Sequence, residues 1–132
     1  MRFWISTVSR AHVQNGIAGG FAEDDESRLK RLSPGDRIVF YAPRPDQRFT
    51  AIAEVVDGGP YQSGEVWRRN VIFRDGNELA VQPLIDTLNF IRDKRSWGVF
   101  FRRGFFEINE SDFRTLERGF GTAVTVGAAK AG

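Results

Sequence analysis

The sequence predicts an α+β domain in which a mixed β-sheet curls on itself as a pseudobarrel, with helices along its sides. Segments with β-rich alternation outnumber helical ones. Their order runs strand, helix, turn, two strands, strand, short helix, strand, helix, which lacks the regular strand–helix alternation of a doubly wound parallel sheet. Two of the strands are apolar at most positions, as central strands are.

Taken in order, Arg2 to Val8 (RFWISTV) places Phe3, Ile5 and Thr7 on one face and Trp4, Ser6 and Val8 on the other. Ser9 is a natural N-cap for a short helix, RAHVQNGI, with Val13 and Ile17 one turn apart. Gly16, Gly19 and Gly20 end that helix and lead through a loop to Phe21. LKRLSPGD holds a helical turn and then Pro-Gly, a turn signal. Strands follow at Asp36–Ala42 and Phe49–Asp57, joined by the polar loop PRPDQR. In a further strand, Glu65–Phe73, Arg69 shares a face with Trp67, Val71 and Phe73. Leu79 to Phe90, with Pro83 near its start and Leu84, Ile85 and Leu88 at helical spacing, reads as a short, irregular helix. SWGVFFRRGFFEIN is the densest aromatic stretch, and Phe105–Ile108 at its end reads as a strand. Asn109 and Asp112 resemble a capping box for a last helix, whose Phe113, Leu116 and Phe120 form one stripe. Residues 1–120 are therefore expected to form a single domain, and 121–132, small and without periodicity, a flexible tail.

Composition excludes several chemistries. The 132 residues contain no cysteine, so disulfides, thiolate metal sites and cysteine nucleophiles are ruled out. One histidine, His12, expected to be exposed, offers no metal set, and no serine sits in a G-x-S-x-G setting. No P-loop or G-x-G-x-x-G is present. Neither a membrane span nor a signal peptide is visible, so a cytoplasmic location is expected. No catalytic residue, metal or cofactor is assigned. The formal charge of +2 is uninformative alone, yet sixteen of the nineteen basic residues are arginines. Guanidinium forks suit phosphates and flat rings, although a codon bias toward arginine would give the same excess. An acidic run, Glu23 to Glu26, stands apart from the basic stretch Arg92 to Arg103.

The seventeen aromatic residues are the positive signal. Trp97 in Ser-Trp-Gly, Tyr41 at a strand end and Phe21 after Gly19-Gly20 would meet at one end of the sheet, with Arg69 and Arg103 near. Such a group suits a flat, partly polar guest such as a nucleobase; plugging the barrel end is the alternative. Stacking contributes roughly 1–3 kcal/mol per base, comparable with the few kcal/mol needed to extrude a base from a duplex.

The blocks WISTVSRAHV, GGFA, LKRLSPGDRIVFYAP, FTAIAEV, YQ, WRRNV, PLIDTLNFI and WGVFFRRGFFEI occur in the order and register of the EVE domain, which the chain resembles from Arg2 to about Phe120. The resemblance implies a PUA-like, partly open barrel of five or six strands, related to YTH and ASCH domains, with a cleft at one side. It also implies recognition of a modified base in DNA or RNA, with methylation the expected modification, by a non-catalytic module, a monomer or weak dimer with no membrane partner. Carried over by motif, Ser9, Gly20, Phe21, Tyr41, Pro43 and Trp97 would shape the base site, while Arg69, Arg102 and Arg103 would hold phosphates. Glu23 stands where the family often has Gln, and Val66-Trp67-Arg68-Arg69 where it often has Pro-Tyr-Arg-Arg, so base preference would differ. Two other functions remain open: a small enzyme on a modified nucleoside, as in some ASCH relatives, and a protein-interaction domain with a vestigial cleft.

Overall fold

The computed structural model describes residues 1–121. Strand β1 (Phe3–Thr7) runs into α1 (Arg10–Gly19), then β2 (Phe21–Asp24) and α2 (Glu26–Lys30). Strands β3 (Arg37–Ala42), β4 (Arg48–Val55), β5 (Tyr61–Ser63), β6 (Val66–Arg74) and β7 (Leu79–Ala80) follow. A 3-10 turn at Gln82–Leu84 and a 3-10 helix at Trp97–Arg103 lead to β8 (Phe105–Ile108) and α3 (Glu110–Phe120). The main path of the sheet is β2-β6-β4-β3-β1-β8, with β5 on β6 and β7 on β4. Among the described residues only β1 and β3 run parallel; the other pairs are antiparallel. The result is the expected mixed, curled sheet in an α+β chain, an open half-barrel with more strands than the sequence indicated.

The local signals explain most elements. Ser9 Oγ accepts from the His12 amide at 3.2 Å and so caps α1. Gly20 ends that helix at φ 74°, a left-handed conformation that costs glycine nothing. Asn109 Oδ1 accepts from the Asp112 amide at 2.8 Å. The Asp112 carboxylate does not complete a capping box: it turns inward and accepts from the amides of Asn89 and Phe90 at 2.8 and 2.9 Å. Asp36, also buried, gathers the amides of Arg2 and Ser33 and the Trp4 indole N–H, fastening the Ser-Pro-Gly turn to β1.

Two expectations fail locally, and one strand was not anticipated. The loop expected to carry Phe21 is strand β2, paired antiparallel with β6. The helix expected over Leu79–Phe90 is instead β7 followed by 3-10 and turn geometry, held by backbone bonds such as Leu84 N–H to Val81 O and by Asp112. Strand β5 had no periodicity to reveal it, since Tyr61 and Gln62 are both exposed. From residue 122 the expected tail lies outside the described residues.

Both faces of the sheet are buried. Phe3, Ile5, Val39, Tyr41 and Phe49 face one layer, completed by Phe101, Phe106 and the α3 stripe. Trp4, Ile38, Phe40, Ala51 and Val71 face the other, with Val13, Leu29 and Phe105. A bulge maintains this division: between β3 and β4, Phe40 pairs with Ala51 but Tyr41 pairs with Phe49, leaving Thr50 as an extra residue. Were the pairing regular through Thr50, Phe49 would share the face of Ala51. With the skip, Phe49 packs on Tyr41, ring centroids 5.2 Å apart.

Candidate functional site

One layer opens at its end into a cleft of about 790 Å³. Its walls come from the ends of β1 (Thr7) and β3 (Tyr41), the loop carrying Pro43, Arg44 and Gln47, and the segment from Arg95 to Gly104. Phe101 organises the aromatic part. Tyr41 stacks on it at 3.9 Å, and Trp97 meets it edge-on at 6.2 Å. Tyr41 is 2% exposed, so it forms the floor. Burial pushes its phenol up to about 12, so it remains a neutral O–H group at physiological pH. Trp97 is half-buried and stands at the wall.

Three arginines, Arg44, Arg95 and Arg102, line the cleft, and among the described residues no carboxylate does. All three are exposed, and none is in an ion pair among the described residues. Crowded positive charge beside apolar walls focuses the field and favours an anionic guest. The loop itself is tied down from outside: Arg10 bonds Glu78 with both its terminal nitrogens and reaches Asp46 at 3.4 Å. Gln47 within that loop holds φ 48°, a left-handed conformation uncommon for a residue with a side chain.

Of the residues expected to form the site, Tyr41, Pro43, Trp97 and Arg102 come together here. The others do not line this cleft. Phe21 lies in β2 with the Arg68 guanidinium 3.9 Å above its ring. Ser9 and Gly20 cap the two ends of α1. Arg69 is interior, 5% exposed, and donates to the carbonyls of Leu29 and Leu32 at 3.2 and 2.8 Å. Burial lowers its pKa and the nearby Asp36 charge counters that shift. Its placement on an otherwise apolar strand face was the sign of this role. Arg103 is exposed but lies over Phe106, 5.0 Å from the ring centroid. Thr7, Arg44, Gln47 and Arg95 were not anticipated, because nothing in the chain order says that the 43–47 loop faces the 95–104 segment.

A second cleft, about 600 Å³, opens beside Val8. Glu23, Asp24, Asp25, Glu26 and Glu65 line it, with His12, Arg28 and Trp67. His12, expected to be exposed, is half-buried with Nε2 2.9 Å from the Glu23 carbonyl oxygen. Burial raises the Asp24 pKa against the opposing pull of the Asp25 amide and Arg28. No group of three or more His, Cys, Asp or Glu side chains is placed to hold a metal ion among the described residues. No helix there is long and apolar enough to cross a membrane.

Comparison with known proteins bears on what such a cleft belongs to. The chain is 43% identical to a UPF0310 protein of Mycolicibacterium vanbaalenii, over 88% of this chain and 90% of that one. It is 41% identical to a UPF0310 protein of Bacillus licheniformis, over 83% and 84%. Among solved structures, protein Atu2648 from Agrobacterium tumefaciens superposes with a TM-score of 0.67 at 14% identity, covering 93% of this chain and 95% of that one. The ASCH protein from Zymomonas mobilis gives 0.60 at 9% identity, covering 89% and 94%, so the fold is PUA-like. The family model described as "EVE domain" matches residues 2–118, and with that match this chain belongs to the EVE domain family.

Proposed function

We propose that this protein is a non-catalytic nucleic-acid-binding module that takes an extruded, modified base into the cleft beside Trp97. The observation that carries this reading is the cleft's lining: an indole at the wall, a phenol at the floor, three arginines and no carboxylate. Its volume falls within the roughly 300–1,000 Å³ usual for small-molecule sites, enough for one nucleotide. Trp97 stacks on the base. Tyr41 supports the stack from below rather than forming a second slab, because Phe101 covers one of its faces. Arg44, Arg95 and Arg102 hold the flanking phosphates. Arg103, exposed on the same segment, adds to the positive approach.

Capture rather than turnover is favoured by what lines the cleft. Among the described residues it offers no carboxylate, imidazole or amine to move a proton, and the Tyr41 phenol, up at about 12, is no base at neutral pH. Methylation is the class of modification that the kinship with YTH domains suggests.

Binding of matched single-stranded DNA and RNA, plain or carrying N6-methyladenine, 5-methylcytosine or N4-methylcytosine, tests the proposal. Wild type should prefer at least one modified oligonucleotide over its plain counterpart, and Trp97→Ala should abolish that preference with little change in melting temperature. Equal affinity for modified and plain strands, or a Trp97→Ala protein that discriminates as well as wild type, would overturn it.

A further inference from the structure

Thr7 is the last residue of β1, on the face that carries Phe3 and Ile5. It pairs in register with Tyr41 of parallel β3, so the two side chains leave the same face of the sheet where the apolar layer ends and the cleft begins. The Thr7 backbone amide is used: it donates to the Gly104 carbonyl at 2.7 Å. Its hydroxyl is not. Thr7 Oγ1 is shut off from solvent and has no hydrogen-bond partner among the described residues. Other hydroxyls do find partners: Ser9 Oγ accepts from the His12 amide, and Thr50 and Thr115 donate to carbonyls. A buried hydroxyl left unpaired forfeits its hydration, so such groups are rare and mark a place where something else completes the site. The other orphan, Arg69 Nε, belongs to a guanidinium that already makes two bonds away from this cleft.

We propose that Thr7 is a specificity-determining residue whose Oγ1 hydrogen-bonds an edge atom of the heterocycle that enters the cleft. The inference rests on the base-binding reading above and adds the atom that reads the base. Thr7 as a residue is only half-buried. The contact requires a rotation of about 120° about the Thr7 Cα–Cβ bond, one staggered step from the shielded position. A guest presenting a ring nitrogen or exocyclic group there satisfies the hydroxyl; one presenting C–H leaves it unpaired and is rejected. The neutral Tyr41 hydroxyl belongs to the in-register partner on the same face, so the inner end of the cleft is built from two hydroxyl-bearing side chains.

Thr7→Val keeps the shape and removes the hydroxyl, which gives a test with two readouts. The free variant should melt at a higher temperature than wild type, because a methyl replaces an unsatisfied hydroxyl. Its affinity for the preferred modified oligonucleotide should fall about tenfold, the scale of one lost hydrogen bond. That loss should vanish against a deaza analogue in which the contacted ring nitrogen is C–H, and Thr7→Ser should restore binding. A lower or unchanged melting temperature for Thr7→Val overturns the proposal. So does unchanged affinity in a protein whose wild type discriminates among the oligonucleotides, and that outcome leaves the base-binding reading intact. A wild type that binds no oligonucleotide of the panel overturns both.

Discussion

Two clefts flank the end of β1, and consecutive residues belong to them: Thr7 to one, Val8 to the other. Both contain a tryptophan, Trp97 in the first and Trp67 in the second. They differ in charge. The first has three arginines and no carboxylate, the second five carboxylates and one arginine. The formal charge of +2 conceals two opposed local fields on the two sides of one strand end. What sets Trp97 apart from Trp67 is its unneutralised positive rim, which attracts anions where the other cleft repels them, and the proposed function depends on that difference.

The tryptophans give the sharpest way to break this contrast. Trp97→Ala should weaken binding of the preferred modified oligonucleotide by the stacking contribution of roughly 1–3 kcal/mol, whereas Trp67→Ala should leave affinity unchanged. Similar losses in both variants, measured by fluorescence anisotropy, would erase the distinction. Salt dependence is the next lever. Changing Arg44, Arg95 or Arg102 to Gln should each reduce the slope of log K against log salt by about 0.7 on a single strand, and Arg28→Gln in the acidic cleft should not. An Arg28→Gln slope that drops as far as the others would show that the acidic side carries phosphate too.

The smallest effect is a pair of opposite pH dependences. The Arg10 hydrogen bond holds the Glu78 carboxyl below its ordinary range. That pairing therefore contributes stability above the unfolded value near 4.5, and the contribution is lost as pH falls through the lowered one. Asp24 is raised above its ordinary 3.8, chiefly by burial. Its ionised form is disfavoured in the fold, so stability is gained as pH falls through the raised value. Thermal melts across the acid range should show Glu78→Gln and Asp24→Asn tilting the pH profile in opposite directions. Tilts of the same sign would contradict the assignment.

Much of the frame was legible because alternation and capping are local. The two faces of β1, the Ser9 and Asn109 caps, and the stripe on α3 are set by residues within one or two turns of one another. What failed was long-range. Strand β2 exists because β6 is there to pair with it, and Phe21 goes with it. Strand β7 is a two-residue annex of β4, in a stretch whose helical spacing reflects apolar residues packing into one layer from turns. At the site, Tyr41 and Trp97 were readable as rings at an element's end, while Pro43 and Arg102 came with the family resemblance. Arg44, Arg95 and Thr7 were not, because their relevance depends on which loop faces which. Arg69 was the one misassignment that the pattern itself could have corrected: an arginine flanked by Trp67 and Val71 on one strand face points inward.

The extra residue at Thr50 has a consequence for how this pocket varies. Phe49 and Tyr41 meet on the cleft side only because one position in β4 is skipped in the pairing. Were the pairing to run on without that skip, Thr50 would stand opposite Tyr41 and the Phe49 ring would fall on the opposite layer, removing the support beneath Tyr41 with every loop around the opening left as it was. The depth of the cavity is therefore governed by where the skip falls in the pairing of β4, and a change of register there would alter what fits without altering a single side chain at the mouth.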